Sequence, residues 1–221
     1  MVHFTVITES DIDIAVQKLQ KQRPDLILLV GDFVEGNAEN INSCIASLTD
    51  LQAPLGVFAV LGNHDYWTNA QFVRTTLQEF NIPVLMKESV EIRWNQNHFF
   101  LIGLDDAWMG SPNLKTALKG VPDEAMKILL VHEPDYADRL RTISTWLPLQ
   151  LSGHSHGGQF IVPFIGPIYL PYLGRKYPMG LRRVPGTDRW VYTTRGVGLT
   201  LPVRVNCKPE VTVLTLRSIS P

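Results

Sequence analysis

Apolar positions along this chain recur first with the period of helices alternating with buried strands, and later with the period of short strands. Residues 11–22 carry Ile12, Ile14, Ala15, Val16 and Leu19 at helical spacing, with Ser10 or Asp11 as the cap and Pro24 beyond the end. The uniformly apolar run 26–30 reads as a buried strand leading into Gly31-Asp32. Residues 42–51 predict a helix, 56–61 a second buried strand leading into Gly62-Asn63-His64-Asp65, and 70–80 a further helix. Beyond this the pattern shortens. Segments 83–86, 89–93 and 98–103 predict strands joined by tight turns, and 113–119 a short helix. Strand 127–131 ends at His132-Glu133-Pro134, helix 135–145 follows, and strand 149–152 ends at Gly153-His154. The tail alternates over 190–193, 203–206 and 210–216, as antiparallel strands do. βα units followed by meandering strands predict an α/β fold of two packed sheets with helices outside.

The 221 residues suffice for one sizeable core and predict a single domain, 1–221. With 45% hydrophobic and 19% charged residues the composition is that of a globular protein. A net charge of -1 gives no reason to expect nucleic-acid binding through a basic surface. Cys44 and Cys207 lack metal-binding spacing and read as reduced thiols of a cytosolic protein, with a disulfide as the alternative. The opening MVHFTVITESD has no signal-peptide pattern. The longest apolar stretch, 160–173, is broken by Pro163, Gly166, Pro167 and Pro171 and cannot be a transmembrane helix.

Four of the apolar strands end in metal-binding residue types: Asp32, Asn63-His64, His132, and His154 with His156. Alone, Gly31-Asp32 is an ordinary turn, Asn63 a turn residue, and His132 a core histidine. Together they differ, because strand ends of open α/β sheets converge on one edge where ligands bind. Oxygen and nitrogen donors on such loops suit divalent metals, and a metal pair is a device for cleaving phosphate esters.

At this point the chain resembles the calcineurin-like metallophosphoesterases. Gly31-Asp32, Gly62-Asn63-His64-Asp65, His132 and Gly153-His154-Ser155-His156 follow that family's motifs in order. Asp65-Tyr66-Trp67, His132-Glu133-Pro134-Asp135-Tyr136, Gly157-Gly158-Gln159 and Thr194-Arg195-Gly196 resemble its bacterial branch, whose members often carry an amino-terminal membrane anchor. The resemblance implies a four-layer α-β-β-α sandwich and a metal-dependent phosphodiesterase in which a hydroxide bridging two ions attacks phosphorus in line. It implies that Asp32 bridges the ions and that Asn63, His132 and His154 complete one site, while His156 and His3 serve the other. His64 then faces the leaving group, with Asp65 holding its ring. Two divalent ions are implied, with Mn preferred and Fe, Mg, Zn or Ni acceptable.

The first motif departs from the pattern. Met1-Val2-His3 puts His3 on the motif's histidine but Met1 where an aspartate belongs, and the strand before it is missing. A thioether is a poor substitute for a carboxylate, so the second site is expected to be weakened and this chain's activity weak. Either the start is misplaced or the protein is a variant with one damaged site. The alternative function is thus a metal-binding but catalytically impaired homologue with a non-enzymatic role. Asp11 and Asp13 read as a cap and a solvated face rather than replacements.

Around the site, Arg195 is a candidate for substrate phosphate, with an exposed ion pair as the equal alternative. Tyr66, Trp67 and Trp108 are either pocket wall or core. Segment 160–177, apolar and ending in Arg175 and Lys176, reads as a lip for a peripheral membrane contact or as a loop packed on the sheet. The branch resemblance implies a phosphoester substrate, lipid-linked among the options. The expected location is cytoplasmic or peripheral to the membrane, and any anchor would precede residue 1.

Overall fold

In the computed structural model, residues 8–200 and 203–217 are described; His3 and the incomplete first motif lie outside them. Helix α1 (Glu9–Gln20) starts at Thr8, whose hydroxyl accepts the Asp11 amide while the Asp11 carboxylate accepts the Thr8 amide. The cap is therefore Thr8 rather than Ser10 or Asp11, and Asp11 closes a capping box from the third helical position. Strands β1 (Ile27–Val30) and β2 (Val57–Val60) pair in parallel, with helix α2 (Ile41–Leu48) between them. Helix α3 (Asn63–Thr68) follows β2 directly, and α4 (Ala70–Glu79) completes this half.

The second sheet has six strands in the order β3 (Glu88–Trp94), β4 (Asn97–Gly103), β5 (Lys127–Leu130), β6 (Leu149–Ser152), β10 (Trp190–Thr193), β9 (Gly180–Arg183). Its inner four strands run parallel and its two edge pairings are antiparallel. Helix α5 (Leu114–Ala117) connects β4 to β5. A small hairpin, β7 (Ile161–Val162) with β8 (Gly166–Pro167), stands apart from both sheets.

The layers follow from which face of each strand is apolar. On β4 and β5, Leu101, Ile128 and Leu130 point toward Val30 and Val60 of the small sheet. Their neighbours Ile102, Leu129 and Val131 point the other way, onto Leu114, Ala117, Tyr136 and Leu140. Outside the small sheet, Ile12 and Val16 of α1, Ile45 of α2 and Leu77 of α4 cover Ile27, Ala59 and Leu61. Helices, sheet, sheet and helices make the expected four-layer sandwich.

Several expected elements are shorter or differ. Segment 83–86 reduces to one parallel bridge between Ala59 and Val84, because there the chain crosses from one sheet to the other and the Lys87 amide already donates to Gly103. In place of a helix over 135–145, a 3-10 helix spans Pro134–Leu140. The carbonyls of Ile143 and Thr145, which a helix would use later, accept from the Arg189 guanidinium at 2.5 and 2.7 Å instead. Segment 203–206 forms only a bridge from Val205 to Phe160, and 210–216 is irregular. There the Glu210 amide pairs with the Gly196 carbonyl rather than with a strand. Strand β9 and helix α3 were not expected from the pattern. Among the described residues, no helix is long and apolar enough to cross a membrane.

Leu101 is wholly buried between the sheets. Leu101→Ala is expected to cost about 2–5 kcal/mol of unfolding free energy in urea titrations. A loss below about 1 kcal/mol would contradict the sheet-on-sheet core.

Candidate metal centre

The loops leaving β1 and β2 touch through backbone so closely that side chains are excluded. A Cβ on Gly62 would lie 2.3 Å from Asp32 Oδ1 and 2.7 Å from the His132 ring, and one on Gly31 would lie 2.6 Å from the Gly62 nitrogen. Gly31 and Asp32 both take positive φ, 86° and 58°, which a β-carbon makes costly at Asp32. The tight turn points the amides of Asp32, Phe33 and Val34 toward one carboxylate, that of Asp65, at 2.9, 2.7 and 3.2 Å. The Gly62 amide donates to the same carboxylate at 2.9 Å. Asp65 is fully buried, and burial with the Asp32 charge pushes its pKa up to about 7, against the pull of the Gly62 and Phe33 amides. Asp65 therefore holds the two loops together and does not hold the His64 ring, as its motif position implied. The carboxylate beside His64 is Glu35, 3.8 Å from Nδ1.

The latch brings Asp32 against β5. Its Oδ1 accepts the His64 amide at 3.0 Å, and its Oδ2 lies 3.0 Å from His132 Nε2. The His132 Nδ1 contacts the Val30 carbonyl at 2.5 Å. A carbonyl only accepts, so Nδ1 carries the proton and Nε2 is directed at Asp32. By the same reasoning His154 donates from Nε2 to the Tyr172 carbonyl at 2.7 Å, leaving Nδ1 for the cluster. His156 donates from Nδ1 to the Gly198 carbonyl at 3.1 Å. The rings of His132 and His154 are 4.9 Å apart.

Asp32, His132 and His154 place their ligand atoms within 4.8 Å of one another, all buried, and form a cluster able to hold a metal ion. Asn63, the first residue of α3, is buried with neither carboxamide atom hydrogen-bonded among the described residues, and His132 Nε2 has the Asp32 carboxylate at ion-pair distance but outside hydrogen-bond geometry. Buried polar atoms left this way are costly. A divalent ion removes that cost: a carboxylate, two imidazoles and a carboxamide oxygen are donors that borderline ions accept. The residues fit the group.

The other predicted residues fare differently. His156 is buried at the 3-10 turn His156–Gly158, outside that three-residue cluster. Arg195 is committed elsewhere: its Nε donates to Glu210 at 2.7 Å, its Nη2 pairs with the same carboxylate, and its stem packs under Gly157. Of its two readings, the ion pair is the one present. Trp67 and Trp108 are half exposed and belong to the wall beside the cluster, whereas Tyr66 donates its hydroxyl to Asp105. Sequence reasoning passed over Glu35, Asp105, Asp106 and Glu133. The signal for the middle pair was present, since Asp105-Asp106 follows an apolar strand just as Asp32 does.

A cluster able to hold an ion at the strand ends of an α/β sandwich is an arrangement that suits a metal-dependent hydrolase. The calcineurin-like phosphoesterase family model matches residues 8–158. An uncharacterized metallophosphoesterase of Bacillus subtilis, YkuE, is 35% identical over 217 residues, which span 96% of this chain and 74% of that protein. The phosphodiesterase YaeI of Escherichia coli is 34% identical over 203 residues, 89% of this chain and 72% of that protein. Among solved structures, sulfate thiohydrolase SoxB of Thermus thermophilus superposes with a TM-score of 0.54 at 15% identity, over 83% of this chain and 37% of that one; it speaks for the fold alone. The chain belongs to the calcineurin-like phosphoesterase family. It is a metal-dependent phosphoesterase, and its substrate is a phosphoester.

Without an ion, burial alone would lower the His132 pKa, but the Asp32 carboxylate more than reverses this and raises it from 6.5 to about 10. Burial, with the neighbouring His132, lowers that of His154 to about 3. Binding Mn²⁺ should therefore displace the His132 proton, and calorimetry in buffers of different ionisation enthalpy should read close to one proton released at pH 7–8. A raised folded-state pKa stabilises fully below pH 6.5 and loses that contribution as pH rises through about 10. Thermal melts of chelator-treated protein should fall across that window, and melts with Mn²⁺ should not. No proton release would refute the assignment of His132.

Proposed function

We propose that this protein hydrolyses phosphodiesters with two divalent ions, Mn²⁺ preferred, the 221 residues acting as one domain. In this reading Asp32, Asn63, His132 and His154 hold one ion, and Asp32 with His156 and His3 serves the second. The observation that carries it is the orphaned Asn63 carboxamide next to the buried Asp32, His132 and His154 cluster. When bound, the ions lower the pKa of water and neutralise charge on the phosphoryl oxygens.

The chain's own residues do the rest. The His64 amide orients Asp32. The His64 ring, with Glu35 3.8 Å from its Nδ1, gives a proton to the departing oxygen in this reading. The Tyr172 carbonyl fixes the tautomer of His154, and the Val30 carbonyl that of His132. Asp65 keeps both loops in register and takes no part in proton transfer.

Hydrolysis of bis-p-nitrophenyl phosphate should appear with Mn²⁺ and vanish with a chelator. Asp32→Ala and Asn63→Ala should abolish it, and His64→Ala should lower kcat by roughly 10²–10⁴ with the ions still bound. Activity surviving Asp32→Ala and chelation would refute the mechanism.

A lipid-linked ester and a peripheral membrane contact through 160–177 are supported by the β7–β8 hairpin. Phe164 at its tip is fully exposed, Ile165, Ile168 and Tyr169 are each more than two-thirds exposed, and Arg175 and Lys176 follow. Cosedimentation with phosphatidylglycerol vesicles should be lost in Phe164→Ser/Ile165→Ser with hydrolysis of the soluble diester retained. Equal sedimentation of both proteins would refute the contact.

A further inference from the structure

Beside the metal cluster the rings form a continuous wall. His64 meets Trp67 at 4.6 Å, Trp67 meets Trp108 at 5.1 Å, and Trp108 meets both Tyr172 at 5.4 Å and His154 at 5.9 Å, all edge to face. The wall thus runs from the proposed proton donor to a proposed metal ligand. Yet it is not core: Trp67 is 50% exposed, Trp108 37% and Tyr172 51%. Indoles left half in water against a polar cluster gain nothing from folding by that exposure.

The loop that carries Trp108 is held with unusual expense. Asp106 is wholly buried and accepts the amides of Trp108 and Met109 at 3.0 and 2.5 Å. Glu133, next to His132 and also wholly buried, accepts those of Ala107 and Trp108 at 2.8 and 3.2 Å. Asp105 takes the Ser111 amide at 2.9 Å and lies 3.3 Å from Lys87 Nζ. Three carboxyl groups taken out of water fix the loop from Asp105 to Ser111. Fixing the indole before a ligand arrives removes the ordering cost of binding.

We infer that Trp67 and Trp108 form a subsite for an apolar ester group, aromatic or alkyl, on the phosphate held by the metal cluster, with Asp106 and Glu133 as its positioning residues. The inference rests on the metal reading above and extends it to the substrate's carbon portion. Phosphonates that share one anionic head and differ only in the carbon group isolate the wall from the chemistry.

Titration calorimetry of the Mn²⁺-loaded full chain with methyl-, phenyl- and octylphosphonate tests it. Phenyl- or octylphosphonate should bind at least about tenfold tighter than methylphosphonate. In Trp108→Ala and Trp67→Ala that advantage should shrink to about twofold while methylphosphonate affinity stays within about twofold of wild type. Asp106→Ala should erode the advantage in the same way, although it touches no ligand. An advantage for phenyl alone assigns the wall to planar groups, and one for octyl alone to alkyl chains. No advantage in the wild type, or one unchanged in both tryptophan variants, overturns the subsite; one unchanged in Asp106→Ala overturns the positioning role. Failure of methylphosphonate to bind the loaded protein overturns the metal reading and the subsite with it.

Discussion

The carboxylate of Asp65 is the interaction on which the site depends. It draws in the amides of Asp32, Phe33 and Val34 from one loop and of Gly62 from another. Those amides converge only because Gly31 and Asp32 take left-handed backbone angles, making a concave nest for an anion. Their cost in backbone strain is offset by four hydrogen bonds to a fully buried carboxylate. With the loops locked, Asp32 has no freedom to turn away from His132, and the close approach admits only glycine at position 62.

The remaining donors arrive through the second sheet. Strands β5 and β6 are parallel neighbours, so His132 and His154 emerge at the same edge although 22 positions separate them. The sheets meet through Val30, Val60, Leu101, Ile128 and Leu130, and this apolar layer sets the distance between the Asp32 loop and the two histidines. The Val30 carbonyl at the end of β1 accepts the hydrogen bond from His132 Nδ1. Packing and polar geometry are thus coupled at one residue, which is why a metal cluster can be assembled from both sheets without a loop long enough to wrap it. His154 and His156 both take positive φ, 66° and 51°, strain of the kind that collects at functional turns.

Much of this was legible in the chain. Buried strands at 26–30, 56–61 and 127–131 announce themselves as apolar runs and 149–152 as the alternating Leu-Gln-Leu-Ser, and each delivers a donor at its end. The motif order named the family, and the four-layer sandwich followed. Distant partners account for two of the differences. Arg189 takes the carbonyls of Ile143 and Thr145 from 44 or more positions away, and Glu210 captures Arg195 across 15. A helix pattern over 135–145 is a sound local reading that a distant partner overrides, and of the two readings of Arg195 the ion pair is the one that a distant partner supplies. Asp65 was expected to serve its neighbour His64, but its partners are backbone amides more than thirty positions back, together with Gly62.

The amino-acid sequence by itself determined the layers, the strand ends and the chemistry of the donors, because hydrophobic period and residue type are local properties. Only the tertiary structure decided what each polar group spends its hydrogen bonds on. It left the Asn63 carboxamide without a hydrogen bond among the described residues, turned His132 Nε2 on Asp32, gave Arg195 to Glu210, and set Trp67 and Trp108 part in water beside the cluster. A side chain's commitment depends on which partner reaches it first in space, and that distance exists only once the two sheets have packed.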